Sequence, residues 1–453
     1  MSDTTKGAEP SPQERAHDLA AFIAASPSMF HTVAAVRARL DAAGFTHLPE
    51  SAAWEVRPGG SYYMVRNNSS VVAWHVGADL PADAPYHFQL TAAHADSPAF
   101  KVKAVPELDG AGETLRLNVE AYGGMIDYSW FDRPLGLAGR VLVREDDRVE
   151  SRLLSVTRPV ALIPSLAIHM NREVNRGFAP NRQVDLCPLF SAGALRHGSF
   201  DAFVAAELGV APEQVLARDL FLVSLEAPAV WGAAAEPEFI SAPRLDDLMC
   251  AYAALEAFLA GPSERTVSVY CCFDNEEVGS NTKQGAMSTL LADVLGRVNA
   301  ALGRSAEDLA RTVAGSLLVS CDNAHAVHPS HPEVADEGAR PVLNGGIVIK
   351  EAANQHYCTD AFSRAAFAAV CDRAGVPYQS FANRSDTAGG STLGNLSNIQ
   401  VSMHAVDVGC PQLAMHSSYE TAGARDVDLA VRALAAFYAT DLAIDGADAV
   451  TLA

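Results

Sequence analysis

Apolar residues recur along this chain with two different periods. Residues 244–261, "RLDDLMCAYAALEAFLAG", set Leu245, Leu248, Tyr252, Leu255 and Leu259 on one face of a helix. Similar spacing predicts helices over residues 28–43, closed by Gly44, near 286–302, through "AFSRAAFAAVCDRAG", and over 426–442. Short, nearly continuous apolar runs read as buried strands. They are "YHFQLTAAH" (86–94), "TVSVYCCF" (266–273), "SLLVSC" (316–321), "GGIVIK" (345–350) and "MHAVDVG" (403–409). "YYMVRNNSSVVAWHVG" reads as two strands around an Asn-rich turn. Strands alternating with helices predict an α/β fold, a sandwich with a mixed, largely parallel central sheet. Residues 1–19 mix polar and helical character and are expected to fray at the start.

Between about 99 and 233 the texture changes. Short alternating runs such as "KVKAVPEL", "TLRLNVEAY" and "GRVLVRE" are separated by Gly and Asp. We expect an inserted β-rich domain over 99–233, interrupting a discontinuous α/β body of 1–98 and 234–453. A chain of 453 residues is long enough for two or three domains. No internal repeat or low-complexity tract is present.

Composition removes several function classes. Hydrophobic residues make up 49% and charged residues 19%, so the chain folds rather than staying disordered. A formal charge of -21 argues against nucleic acid or an anionic membrane as partner. The polar N-terminus lacks an apolar signal core, and no clean apolar run of about 18 residues predicts a membrane helix. The eight cysteines are scattered without a CxxC pair, which suits reduced thiols in the cytoplasm. There is no P-loop, no GxGxxG after a strand and no GxSxG elbow.

The chemistry-bearing residues lie just past strand ends, where open α/β sheets form their ligand crevice. His94 follows "HFQLTAA", Glu276 and Glu277 follow "SVYCCFDN", Asp322 follows "LLVSC", and His416 lies beyond "MHAVDVG". Asp246 opens its helix. Each alone reads first as a capping or surface residue. Together, two His and several carboxylates suit zinc, with manganese or cobalt possible in oxygen-rich sites. In "HADSP", Asp96 is placed to orient His94 by accepting its far ring N–H. In "FDNEEVGS", a turn before Gly279 can bring both glutamates to one site, one on a metal and the other moving protons.

The motifs "HADSPAF", "SAPRLDDL", "DNEEVGS", "DNAHAVHP", "LNGGIVIK", "NQHYCTDAF", "SDTAGGSTLG" and "DVGCPQLAMHS" resemble, in order and spacing, the aspartyl aminopeptidase family of dinuclear zinc peptidases. The resemblance runs over about residues 20–440. It implies that Asp246 bridges two zinc ions (manganese or cobalt as substitutes). His94 and Asp322 complete one position, and Glu277 and His416 the other. Glu276 is then the general base toward a metal-bridging hydroxide, with Asp96 supporting His94. His169, in the inserted "IPSLAIHMNR", is implied to reach a neighbouring subunit's site and steady the oxyanion. Lys350 and Tyr357 match positions associated with substrate binding, and Arg384 is a further basic candidate. His325 and His328 read as supporting residues. The family removes N-terminal Asp, often Glu, from peptides, and its inserted domain builds dodecamers from dimers. Asp247, Met125 and Tyr419 depart from residues common in that family. Two other readings remain open. One is a dinuclear aminopeptidase or N-acyl amino-acid deacylase of other specificity; the other is a non-catalytic assembly or chaperone-like protein.

Overall fold

The computed structural model describes residues 10–81, 84–261 and 263–453. The start of the polar N-terminal segment, where fraying is expected, lies outside them. Its remainder forms the helix Pro12–Ala25, opened by Ser11, whose side chain accepts from the Glu14 N–H.

Nine strands form the central sheet. Across the sheet they run Thr46–His47, Ser61–Arg66, Ser70–Val76, Val267–Phe273, Phe88–His94, Leu317–Cys321, His404–Gly409, Ile347–Glu351 and Tyr378–Ala382. Of the eight pairings, five are parallel and three antiparallel. The hairpin Ser61–Val76 turns on Asn67 and Asn68, at φ +59° and +55°, a conformation that Asn tolerates better than most residues.

Side chains alternate between the two faces, so each buried strand feeds two cores. Tyr270 and Cys272 face the helices Pro12–Ala25, Met29–Ala42, Leu245–Ala260, Ala361–Ala374 and Ala424–Ala439. Val269, Cys271 and Phe273 face the opposite layer, where Leu290, Val294 and Leu393 pack. The result is a three-layer sandwich. His94 ends its strand, and residue 322 directly follows the neighbouring strand. The parallel register pairs Ala92 with Ser320, which brings positions 94 and 322 side by side.

A second sheet of six antiparallel strands is built from residues 99–224. It carries its own core, with Phe100, Leu137, Phe200 and Leu220 fully buried. Ala229–Trp231, which the sequence placed with the insertion, instead pairs with Phe239–Ala242 in a small five-stranded sheet. That sheet also takes Glu420–Gly423, Pro411–Leu413 and Ala324–His325. It draws the chain around His416 toward the end of the central sheet.

Candidate metal centre

Each candidate ligand is carried by an element that ends at one place. His94 is buried at the end of its strand. Its Nδ1 lies 3.0 Å from the Asp96 carbonyl and 3.4 Å from Asp96 Oδ1, leaving Nε2 to face 3.7 Å to Asp246 Oδ1 and 3.9 Å to Asp322 Oδ1. Asp246 sits at the non-helical start of Leu245–Ala260, and the Asp246–Asp247 peptide is cis. After Phe273, Asn275 adopts φ +63° and a single turn over Glu276–Val278 follows, released by Gly279 at φ +94°. A side chain at that angle would be strained, which is why glycine stands there.

Asp96 holds this turn. Its two oxygens accept the backbone N–H groups of Glu276 and Glu277, each at 3.2 Å, and Oδ2 also accepts the Tyr122 hydroxyl at 2.7 Å. One aspartate therefore orients His94 and the glutamate pair together.

Ligand atoms gather in overlapping groups, all within 4.8 Å inside each group. One contains His94, Asp246, Asp247 and Asp322; another contains Asp246, Glu277 and His416; a third joins His94, Glu276 and Glu277. In the second, His416 Nε2 is 3.2 Å from Asp246 Oδ2 and 3.4 Å from Glu277 Oε2. Asp246 is common to the first two groups.

The donor set fits a metal. Asp246 Oδ1, Asp247 Oδ1 and Glu277 Oε1 are buried with no hydrogen-bond partner among the described residues, a costly arrangement unless something positive satisfies them. Electrostatics agrees. Burial pushes Glu277 and Asp247 well above the usual carboxylate range, and neighbouring acids add to it. Glu276 is pushed up to about 8, mainly by burial, against the pull of His94. Burial alone would lower His94, but Asp247 and Asp96 outweigh it and raise it. The cluster is short of positive charge, which divalent cations supply.

The family profile described as Aminopeptidase I zinc metalloprotease (M18) matches residues 22–438. The chain belongs to the M18 aminopeptidase family. The "Probable M18 family aminopeptidase 2" of Clostridium novyi is 41% identical over 429 residues, covering 93% of this chain and 98% of the relative. That of Ectopseudomonas mendocina is 41% identical over 433 residues, covering 94% and 99%. Among solved structures, a chain from the cryo-EM structure of the Ape4 and Nbr1 complex superposes with TM-score 0.91 at 33% identity, covering 94% of this chain and 86% of that one. The S. cerevisiae mApe1 dodecamer superposes with TM-score 0.83 at 28% identity, covering 94% and 96%. M18 is a family of metal-dependent aminopeptidases.

In this M18 chain the ligand groups open on a cavity of about 320 Å³. Glu276, Lys350, Tyr357, His325 and Thr392 line it. Lys350 is buried; its Nζ donates to the carbonyls of Asp322 at 2.8 Å and Asn323 at 3.3 Å, and lies 5.2 Å from the Tyr357 ring centre. His325 packs against Phe381 in the cavity wall, while His328 lies outside it beside His331.

Two sequence candidates are not brought to the cavity within this chain. Arg384 pairs with Asp386 two residues on and with the Glu333 carbonyl; local pairing has captured its guanidinium. His169 is exposed on the inserted unit. Tyr419 donates to the Ala227 carbonyl at 2.8 Å.

Glu420 was missed. It is buried, and its two oxygens accept the backbone N–H groups of Asp246 at 3.0 Å and His416 at 2.6 Å. It thereby ties two members of one ligand group, holding His416 at φ +66°. A lone Glu in "MHSSYE" gives no sign of this, because the partners are main-chain groups, one of them far away in sequence.

Proposed function

We propose that this chain is a dinuclear zinc aminopeptidase that removes acidic N-terminal residues, aspartate and also glutamate, from peptides. The observation that carries the reading is one cavity lined by Glu276, a buried lysine and members of both ligand groups that share Asp246. His94 and Asp322 would hold one ion, Glu277 and His416 the other, and Asp246 both. Manganese or cobalt would serve in place of zinc. When bound, such a pair polarises the scissile carbonyl and lowers the pKa of water.

The chain's own residues then divide the work. Glu276 accepts a proton from the attacking water and delivers it to the leaving amine. Asp96 fixes where Glu276 stands, through its main-chain N–H. The substrate's free α-amine is held among the acidic groups, which restricts cleavage to the first peptide bond. An ammonium has three donors; Lys350 spends two on carbonyls, lies 3.8 Å from Asp322 Oδ2, and offers its remaining donor to an acidic substrate side chain, with Tyr357 beside it.

A homo-oligomer, a dodecamer built from dimers through the inserted unit, is part of the reading. It is supported by the likeness to the mApe1 dodecamer and by the exposed Leu166, Ile168, Met170, Phe178 and Val184 on that unit. His169 lies among them, placed to reach a neighbour's site. A reducing, cytoplasmic setting accords with eight unpaired cysteines. No helix among the described residues is long and apolar enough to cross a membrane.

The test is hydrolysis of Asp-, Glu-, Leu- and N-acetyl-Asp-amides after chelation and zinc re-addition. Asp- and Glu-amides should be cleaved only with metal restored. Equal or better turnover of the Leu-amide would reject acidic specificity, and cleavage of N-acetyl-Asp-amide would reject capture of the free amine.

A further inference from the structure

Glu277 and His416 belong to one ligand group but come from distant parts of the chain. Glu277 follows the strand Val267–Phe273, and His416 follows the short strand Pro411–Leu413. One segment of the inserted unit touches both loops. Tyr122 closes the strand Thr114–Tyr122; its hydroxyl donates to Asp96 Oδ2 at 2.7 Å and accepts from Asn275 Nδ2 at 2.8 Å. Gly123, at φ +78°, packs so closely that a Cβ there would lie 3.1 Å from Glu277 Cβ. Further along, the Ile126 N–H donates to the His416 carbonyl at 3.0 Å. Ser129 Oγ accepts the Ser418 N–H at 2.9 Å, and the Ser129 carbonyl accepts the Ser418 hydroxyl at 2.6 Å.

The same segment is anchored on its far side. Met125, Trp130 and Phe131 pack into the core of the inserted sheet. His94 and Asp322 are spaced differently: parallel register between adjacent central strands sets their separation.

We propose that residues 122–129 form a strap that fixes the spacing of Glu277 and His416, and so governs zinc occupancy of the position they share with Asp246. The spacing of His94 and Asp322 is set by strand register, and the strap reaches that position only through the Tyr122 hydroxyl on Asp96. The proposal rests on the two-ion reading above. Tyr122 and Ser129 are positioning residues in it, touching neither substrate nor ion.

The test is zinc stoichiometry of the intact chain. Protein is dialysed against graded free zinc, metal per chain is measured by mass spectrometry, and thermal unfolding is followed on the same samples. Wild type should fill two positions. The Ser129→Ala, Ser418→Ala double variant, which loosens the strap from the His416 loop and leaves Tyr122 on Asp96, should fill the first at the wild-type zinc concentration and the second only at roughly 10–100-fold higher zinc, the usual effect of losing outer support to ligands. Phe131→Ala, which loosens the anchor without touching a ligand, should shift the second position the same way. Arg158→Ala, which breaks an exposed pair with Glu207 elsewhere on the inserted unit, should shift neither. Two unshifted positions in the double variant would overturn the strap. So would a parallel shift of both positions, as general loosening would give. A wild-type chain that binds a single zinc would overturn the two-ion reading itself, and the strap with it.

Discussion

Replacing Glu420 by Gln changes one atom of a buried side chain and should uncouple a ligand pair. The carboxylate accepts two main-chain N–H groups, from Asp246 at 3.0 Å and from His416 at 2.6 Å. Glutamine keeps one acceptor and turns an NH2 toward the other N–H. One hydrogen bond to a charged group is lost, worth about 1.5–3 kcal/mol, and a buried donor is left facing another donor. Asp246 is buried at the non-helical start of its helix, whereas His416 is half-buried in a loop at φ +66°. The strain therefore releases at His416. Since about 1.4 kcal/mol is tenfold in an equilibrium constant, zinc affinity at the position involving His416 should fall roughly 10–100-fold. Competition against a chelator of known affinity reads this directly, and kcat/KM at limiting zinc should fall in step. Excess zinc should restore much of the rate. Wild-type zinc affinity in both Glu420→Gln and Glu420→Ala would refute the reasoning.

Three further outcomes separate the roles of neighbouring residues. Glu276→Gln should keep its zinc and lose roughly 10²–10⁴-fold in kcat, the range typical of a positioned acid–base group; Glu277→Gln should instead lose metal, and equal metal content in both would contradict the division. Lys350→Met should lower kcat/KM on Asp-amides and not on Leu-amides, so that a uniform loss on both would remove the lysine from specificity. His31 is half-buried near Arg244, and burial first, then that charge, lower its pKa to about 4. The unfolded chain takes up the proton first, so stability present above pH 6.5 is lost as pH falls toward 4, by about 3 kcal/mol at most. Urea midpoints of His31→Gln should fall less steeply between those pH values, and parallel curves would dismiss the histidine.

The sandwich, and the placing of the candidate ligands at strand ends, were legible because they rest on strong local signals. A buried strand such as residues 267–273 declares itself by an unbroken apolar run, and a ligand at its end inherits that position. Weaker elements left no such trace. Ala324–His325 and Pro411–Leu413 are too short to show a period, yet the sheet they join brings His416 to the site. Tyr378–Ala382 starts directly after Pro377, and Leu393–Gln400 spans eight residues, too few to display a clear helical face. Arg384 looked like a substrate contact on charge alone, and Asp386 beside it took that charge. Glu420 and Tyr122 were invisible for another reason. Their roles consist of hydrogen bonds to groups many residues away, which no local pattern encodes.

The candidate ligands span His94 to His416, with the whole inserted sheet threaded between the first and the rest. Such a site cannot be assembled from any local fragment. It exists only once both halves of the interrupted body have met across the central sheet, through pairings between strands far apart in sequence. Metal capture at such a site would be tied to completed folding. During its own synthesis, the chain is a harmless neighbour to other polypeptides: it cannot trim a free N-terminus before it is itself finished.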